Sequence, residues 1–317
     1  MRWTLGLIAA LPSLAASLDS RVHDLIAPFK GTVYLYTKNL DTGATFGIRE
    51  NERVRTASTI KLPIMVALFA EVAAGHVKWT DELILRDAGK VSGSGILHEF
   101  SDGVHLPIRD VMHLMIVLSD NTATNLILDR ITADAVNARL DKLGLTATRS
   151  MRKVRGDGTQ LKPEEGWSAA GRLPENQRFG IGSSTPKEMV TLLEMIEKGE
   201  VVSPEASKEM IAVLKRQQDS TGMRRKLADM PVANKTGALD ALRSDVGIAY
   251  SPNGRIAMAI TCDDMPKPEW GPDNPGSVLI GELARLLVDS LRCSRPPFAS
   301  QPISVRAMVT HMGCPLR

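Results

Sequence analysis

Three cysteines and six histidines are all that 317 residues offer as thiolate or imidazole metal ligands. Cys262, Cys293 and Cys314 lack metal-ligand spacing, and neither His-x-His nor His-Glu-x-x-His occurs, so a zinc-dependent mechanism has little support and no metal or organic cofactor is expected. An excess of one charge is missing too, since Lys+Arg 39 against Asp+Glu 36 leaves only +3. The main basic run, Arg149, Arg152, Lys153 and Arg155, falls short of the continuous surface that phosphate binding needs, which removes nucleic acid as an expected partner. After the first residues no run is long and apolar enough to span a bilayer. Gly-x-Ser-x-Gly is also absent, so a nucleophile elbow is excluded; Ser92-Gly93-Ser94-Gly95 reads as a flexible connection or as one wall of a cleft.

What the chain does contain is a hydroxyl three residues before an amine at a helix start: Ser58-Thr59-Ile60-Lys61. Residues i and i+3 share a helix face, so Lys61 Nζ is expected to reach Ser58 Oγ and accept its proton. Apolar neighbours (Ile60, Leu62, Ile64, Met65, Val66) disfavour the ammonium and move Lys61 toward a usable base. Ser119-Asp120-Asn121 follows the apolar run Val111 to Leu118 and precedes Leu126-Ile127-Leu128, which places it in a bend between two helices. There Ser119 can relay a proton to a leaving nitrogen and the Asn121 amide can hold a substrate amide carbonyl. Lys235-Thr236-Gly237 closes the run Pro231 to Asn234, which reads as an inner strand. Lys235 supplies positive charge, Thr236 a hydroxyl for a substrate carboxylate, and Gly237 room for substrate against the backbone. The N–H groups of Ser58 and Ala238 would form an oxyanion hole, where losing one donor typically slows turnover about 100-fold to 1,000-fold. Each motif alone is ordinarily a helix cap, an Asx-type turn or a strand end. All three in this order are not.

Together they resemble the signature of the class A β-lactamases and the related penicillin-binding serine hydrolases. The resemblance runs from about Leu18 to Leu291 and includes Ser119 to Leu126 and the helix opening Ser184-Thr185-Pro186. It implies Ser58 as the acylated nucleophile with Lys61, Ser119, Asn121, Lys235 and Thr236 around it. The small-molecule substrate it implies is a β-lactam or a cell-wall peptide. One part of the family pattern is missing, because no Glu-x-x-Leu-Asn occurs between the second and third motifs. The acids of the segment Thr148 to Ser184 are Asp157, Glu164, Glu165 and Glu175, and spacing assigns the deacylating base to none of them. A positioned base contributes roughly 100-fold to 10,000-fold, so a D,D-carboxypeptidase, a slow esterase or a non-turnover β-lactam sensor stands beside the β-lactamase. Arg243 is the nearest candidate for the arginine that many class A enzymes direct at the substrate carboxylate, but a one-residue offset on a strand points it away.

The expected fold is an α/β, two-lobed arrangement of β-lactamase/transpeptidase type. An antiparallel sheet lobe, about 18–57 and 205–292, is built from both chain ends, and a helical lobe, about 58–204, is inserted between them. Strand patterns occupy Thr32 to Leu40, Ala44 to Arg49, Val232 to Thr236, Val246 to Tyr250 and Arg255 to Thr261, and helical patterns Glu188 to Ile196, Glu205 to Leu214 and Val278 to Leu291. Residues 1–17 carry a basic start, an apolar centre and small residues at Ala15, Ala16 and Ser17, the pattern of a secretory signal, so a secreted or periplasmic monomer is expected. Cys262 is expected as a buried thiol. Cys293 and Cys314 in the Pro-rich tail 293–317 are expected to pair in an oxidising compartment.

Overall fold

The computed structural model describes residues 17–158 and 160–291. The leader expected at the N-terminus and the cysteine pair expected in the tail lie outside those residues. The chain begins with α1 (Leu18–Ile26), β1 (Thr32–Asn39), β2 (Thr45–Ile48) and a two-residue β3 (Val54–Arg55). Its middle runs through α2 (Lys61–Ala73), β4 (Glu82–Ile84), β5 (His105–Pro107), α3 (Ile108–Val117), α4 (Asn121–Ile131), α5 (Ala133–Lys142), β6 (Arg149–Ser150) and β7 (Gly182–Ser184). Then come α6 (Pro186–Glu197), α7 (Pro204–Leu214), β8 (Val232–Leu239), β9 (Leu242–Ser251), β10 (Gly254–Asp263) and α8 (Pro275–Ser290).

Five strands from both ends of the chain form one antiparallel sheet in the order β2-β1-β10-β9-β8. Alternation along β10 shows how it is held. Ile256, Met258, Ile260 and Cys262 pack with Leu279, Ile280, Leu283 and Leu287 of α8, whereas Ala257 and Ala259 turn to the helical side. Small residues on that face let α6 come close to β10 and β1. Cys262 is free and fully buried, and burial raises its thiol pKa.

α2 is the axis of the helical side. Its residues from Lys61 to Phe69 are all buried, as an almost wholly apolar helix must be. Pro63 sits in the first turn, where its missing donor costs least. The later helices start as their sequences dictate, each with an oxygen-bearing cap followed by proline: Thr185-Pro186, Ser203-Pro204 and Asn274-Pro275.

One expectation is corrected. β8, which carries Lys235-Thr236-Gly237, is not an inner strand but the edge of the sheet. Its free side is covered by the Ala57–Ile60 turn and by α7, so a buried edge reads in sequence like an interior strand. A second, small sheet, β3-β7-β6, fastens both ends of the 148–184 segment to the strand just before Ser58. Thr56 N–H donates to Gly182 O at 3.0 Å beside it. Among the described residues no helix is long and apolar enough to cross a membrane.

Candidate active site

Ser58 lies in a 3-10 turn, Ala57–Ile60, that runs straight into α2 at Lys61. Ala57, the residue before it, has φ 47°, a left-handed conformation that costs a non-glycine residue about 1–3 kcal/mol and is held only by its surroundings. Thr59 fixes the turn from the other side, with both its N–H and its hydroxyl donating to Thr56 O, at 3.1 and 2.8 Å. The turn leaves Ser58 half-buried between two fully buried neighbours, Ala57 and Thr59.

Lys61 is completely buried, and its amine is fully engaged. It donates to Ser119 O at 2.7 Å, to Ser119 Oγ at 3.2 Å and to Asn121 Oδ1 at 2.9 Å. Burial, and after it the charge of Lys235, pushes its pKa well below the ordinary lysine value. The expected contact with Ser58 Oγ is replaced by these three, which turn the amine toward the Ser119–Asn121 bend. Among the described residues no hydrogen bond joins Lys61 Nζ to Ser58 Oγ.

Ser119 stands between two amines. Its Oγ accepts from Lys61 Nζ and, at 3.0 Å, from Lys235 Nζ, and its own backbone is left-handed, φ 55°. Asp120, to which spacing gave no separate role, turns out to organise this bend. Its Oδ1 caps α4 through Ala123 N at 2.8 Å, and its Oδ2 accepts from Ile96 N and Leu97 N at 2.7 and 2.9 Å. The readable signal was an aspartate immediately before an apolar helix. The glycine-rich loop is thereby a wall of the cleft rather than a loose connection: Asn121 N–H donates to Ser94 O at 2.9 Å and Asn121 Nδ2 to Ser92 O at 3.0 Å. A primary amide has two N–H donors, so one of Asn121's remains for a substrate.

On the opposite wall Lys235 is fully buried and donates to Thr236 O at 2.8 Å. Burial lowers its pKa to about 8. Gly237 is required for a reason beyond the one expected. A β-carbon there would stand 2.8 Å from Thr56 O and 3.1 Å from Ser58 N, so it is the Ser58 turn, and not only a substrate, that presses on this backbone. Ala238 next to it is exposed. Ser58, Lys61, Ser119, Asn121, Lys235, Thr236, Gly237 and Ala238 therefore converge on a single seam between the sheet and the helices.

Behind β8 a buried network supports this wall. Asp245, opposite Thr236 in the β8–β9 register, accepts from Asn234 Nδ2 and Met223 N, both at 2.8 Å, and Asn234 Oδ1 in turn accepts from Arg224 Nε at 2.8 Å. Burial raises the Asp245 pKa to about 7. Nothing in the spacing singled these residues out. Arg243 is spent elsewhere: its guanidinium donates to the carbonyls of Leu239, Leu242 and Glu269 and stacks on Trp270.

The four loop acids are not gathered at the seam. Glu164 pairs with Arg155 at 3.2 Å and Arg152 at 3.6 Å, Glu165 with Lys153 at 3.3 Å, and Glu175 is exposed in a turn of the Pro174–Phe179 segment. Asp157 alone comes near a motif residue, at the Gly93 edge of Asn121. Where the loop meets α4, Asn125 clamps the backbone of an apolar residue, donating to Val154 O and accepting from Val154 N, each at 2.8 Å.

Comparison with known proteins gives this geometry its relatives. The family model described as "Beta-lactamase enzyme family" matches residues 17–291. A β-lactamase from Sphaerobacter thermophilus superposes with a TM-score of 0.73 at 30% identity, covering 86% of this chain and 96% of that one. The structure of PBP-A superposes with a TM-score of 0.70 at 28% identity, over 86% and 95% of the two chains. Among curated sequences, a protein named β-lactamase regulatory protein BlaB, from Streptomyces cacaoi, is 24% identical over 80% of this chain and 91% of its own length. β-Lactamase L2 of Stenotrophomonas maltophilia is 26% identical over 70% of each.

Proposed function

This chain belongs to the β-lactamase enzyme family, and we propose that it hydrolyses β-lactams through an ester on Ser58. The observation that carries the proposal is the state of Lys61, a buried amine held by three oxygens at the start of the helix that Ser58 enters. Burial holds the pKa of this amine well below the ordinary lysine value, which eases loss of its proton and suits it to act as a proton acceptor. In acylation Ser58 Oγ bonds to the lactam carbonyl carbon while its proton passes to Lys61. The carbonyl oxygen becomes an anion facing the N–H groups of Ser58 and Ala238. Ser119 Oγ, bridged by both amines, gives its proton to the ring nitrogen as the C–N bond breaks and is reprotonated from Lys61. Lys235 and the Thr236 hydroxyl hold the substrate carboxylate, and Asn121 Nδ2 the acyl amide carbonyl. Water then cleaves the ester. Export, expected from the N-terminal residues, would bring the protein to the compartment where its substrates occur.

A second reading, a D,D-carboxypeptidase or esterase that releases its acyl group slowly, is favoured by one observation. Glu164 and Glu165 are held in ion pairs, and the loop residue clamped at α4 is Val154, so neither glutamate is held in place for the deacylating water. Intact mass of the protein after mixing with benzylpenicillin separates the two. A transient adduct with product release supports the β-lactamase, and an adduct that persists supports the peptidase. The Ser58→Ala variant should show neither adduct nor turnover; a labelled Ser58→Ala protein would displace Ser58 as nucleophile.

A further inference from the structure

Asp157 occupies a place that the acylation chemistry leaves unused. Its backbone is fastened to the glycine-rich wall, since Asp157 N donates to Ser92 Oγ at 3.0 Å and the same hydroxyl lies 3.3 Å from Asp157 O. Two glycines make the approach possible. A β-carbon on Gly156 would stand 2.7 Å from Ser92 Oγ, and one on Gly93 would stand 2.8 Å from Asn121 Nδ2 and 3.4 Å from Asp157 Oδ2. The gap left by the missing Gly93 side chain is thus bordered on one side by the amide of Asn121 and on the other by a carboxylate. Among the described residues that carboxylate has no ion pair and no hydrogen bond, although Lys153 and Arg155 are close in sequence. Those two are engaged by Asp129 and Glu165 and by Glu164.

We propose that Asp157 is a specificity-determining residue that favours substrates carrying an ammonium group beside the acyl amide. The inference rests on the reading that Asn121 receives the acyl amide carbonyl. A substituent on the carbon next to that carbonyl then passes over Gly93, where no side chain blocks it, and meets the Asp157 charge. The substrate class is an aminoacyl β-lactam or a peptide with a free amine near the acyl group. Asp157 is exposed, so the pair is screened by water, and the preference is worth about twofold to fivefold.

Ampicillin and benzylpenicillin test this, because they differ by one α-amino group at that carbon. The ratio of their acylation rate constants is measured by intact mass on the full chain and on Asp157→Asn, near pH 6, where the amine is charged because α-amino groups titrate at about 7.7–8.0. The ampicillin/benzylpenicillin ratio should fall about twofold to fivefold in the variant. In the parent protein it should also fall as pH rises through the amine's titration and as salt is added. A ratio that is the same in both proteins overturns the proposal. So does a lengthening of both adduct lifetimes by the same factor in Asp157→Asn, which would make the residue a proton acceptor in deacylation. If neither compound labels Ser58 of the parent, the acylation reading itself fails and takes the proposal with it. A shift in the ratio alone leaves that reading standing.

Discussion

The two walls of the seam are made differently. Lys61 and Lys235 are fully buried with Ser119 half-buried between them, both amines have named oxygen partners, and two residues, Ala57 and Ser119, are held in left-handed backbone. The 148–184 loop is fastened at its ends, at Val154, at Asp157 and at Ala169, but its Glu164 and Glu165 face solvent in pairs with basic neighbours. Strain and buried charge survive only where the surroundings over-determine them, and both occur among the groups to which the proposed mechanism gives acyl-bond formation. The loop glutamates have no comparable construction.

Lys61→Met tests the first half of that contrast with the largest effect. The substitution keeps length and burial while removing the base and the three hydrogen bonds of the amine. Acylation by benzylpenicillin should slow by about 100-fold to 10,000-fold, measured as the rate of appearance of the adduct. A loss of less than about tenfold would mean that another group takes the Ser58 proton and that the buried amine is structural.

A smaller effect is expected from pH. Burial lowers Lys235 to about 8, so its ammonium is present below that pH and is lost as pH rises through it. Substrates held by their carboxylate should therefore be acylated more slowly above about pH 8, the fall approaching tenfold per pH unit. A neutral ester substrate should lack that limb. If both substrates fall together, the alkaline loss belongs to the acylation chemistry and not to carboxylate binding.

The same contrast explains what could be read from sequence. The three motifs and the helix opening at Ser184-Thr185-Pro186 are local patterns, and period-2 and period-3.6 apolar spacing marked most of the sheet strands and the later helices, though the strand read from Val246 begins at Leu242 and the caps Ser203 and Asn274 went unread. Three features were not local. β8 looked interior because the covering of its free edge is supplied by residues 57–60 and by α7, both distant in sequence. Left-handed Ala57 and Ser119 carry no glycine to announce them, and without Ala57 the 3-10 turn that carries Ser58 cannot be anticipated. Asp245 and Arg224 converge on Asn234 only through sheet register and the Met223–Arg225 turn. What tertiary context imposes on an otherwise ordinary residue leaves no mark on its neighbours.

The loop supplies the smallest expected effect, and the one that most directly probes the contrast. Glu164 and Glu165 are exposed and their partners are long, flexible basic side chains, so each ion pair contributes at most about 1 kcal/mol and is weakened by salt. Glu164→Gln and Glu165→Gln, singly and together, should leave the rate of acylation by benzylpenicillin and the lifetime of its adduct within about twofold of the parent. A general base of deacylation behaves otherwise, since losing one lengthens the adduct lifetime by about 100-fold or more while acylation continues. A prolonged adduct in either variant would therefore mean that the loop rearranges once Ser58 is acylated and delivers that glutamate to the ester. The two walls would then differ in when they are organised, the motif wall before substrate arrives and the loop wall after it.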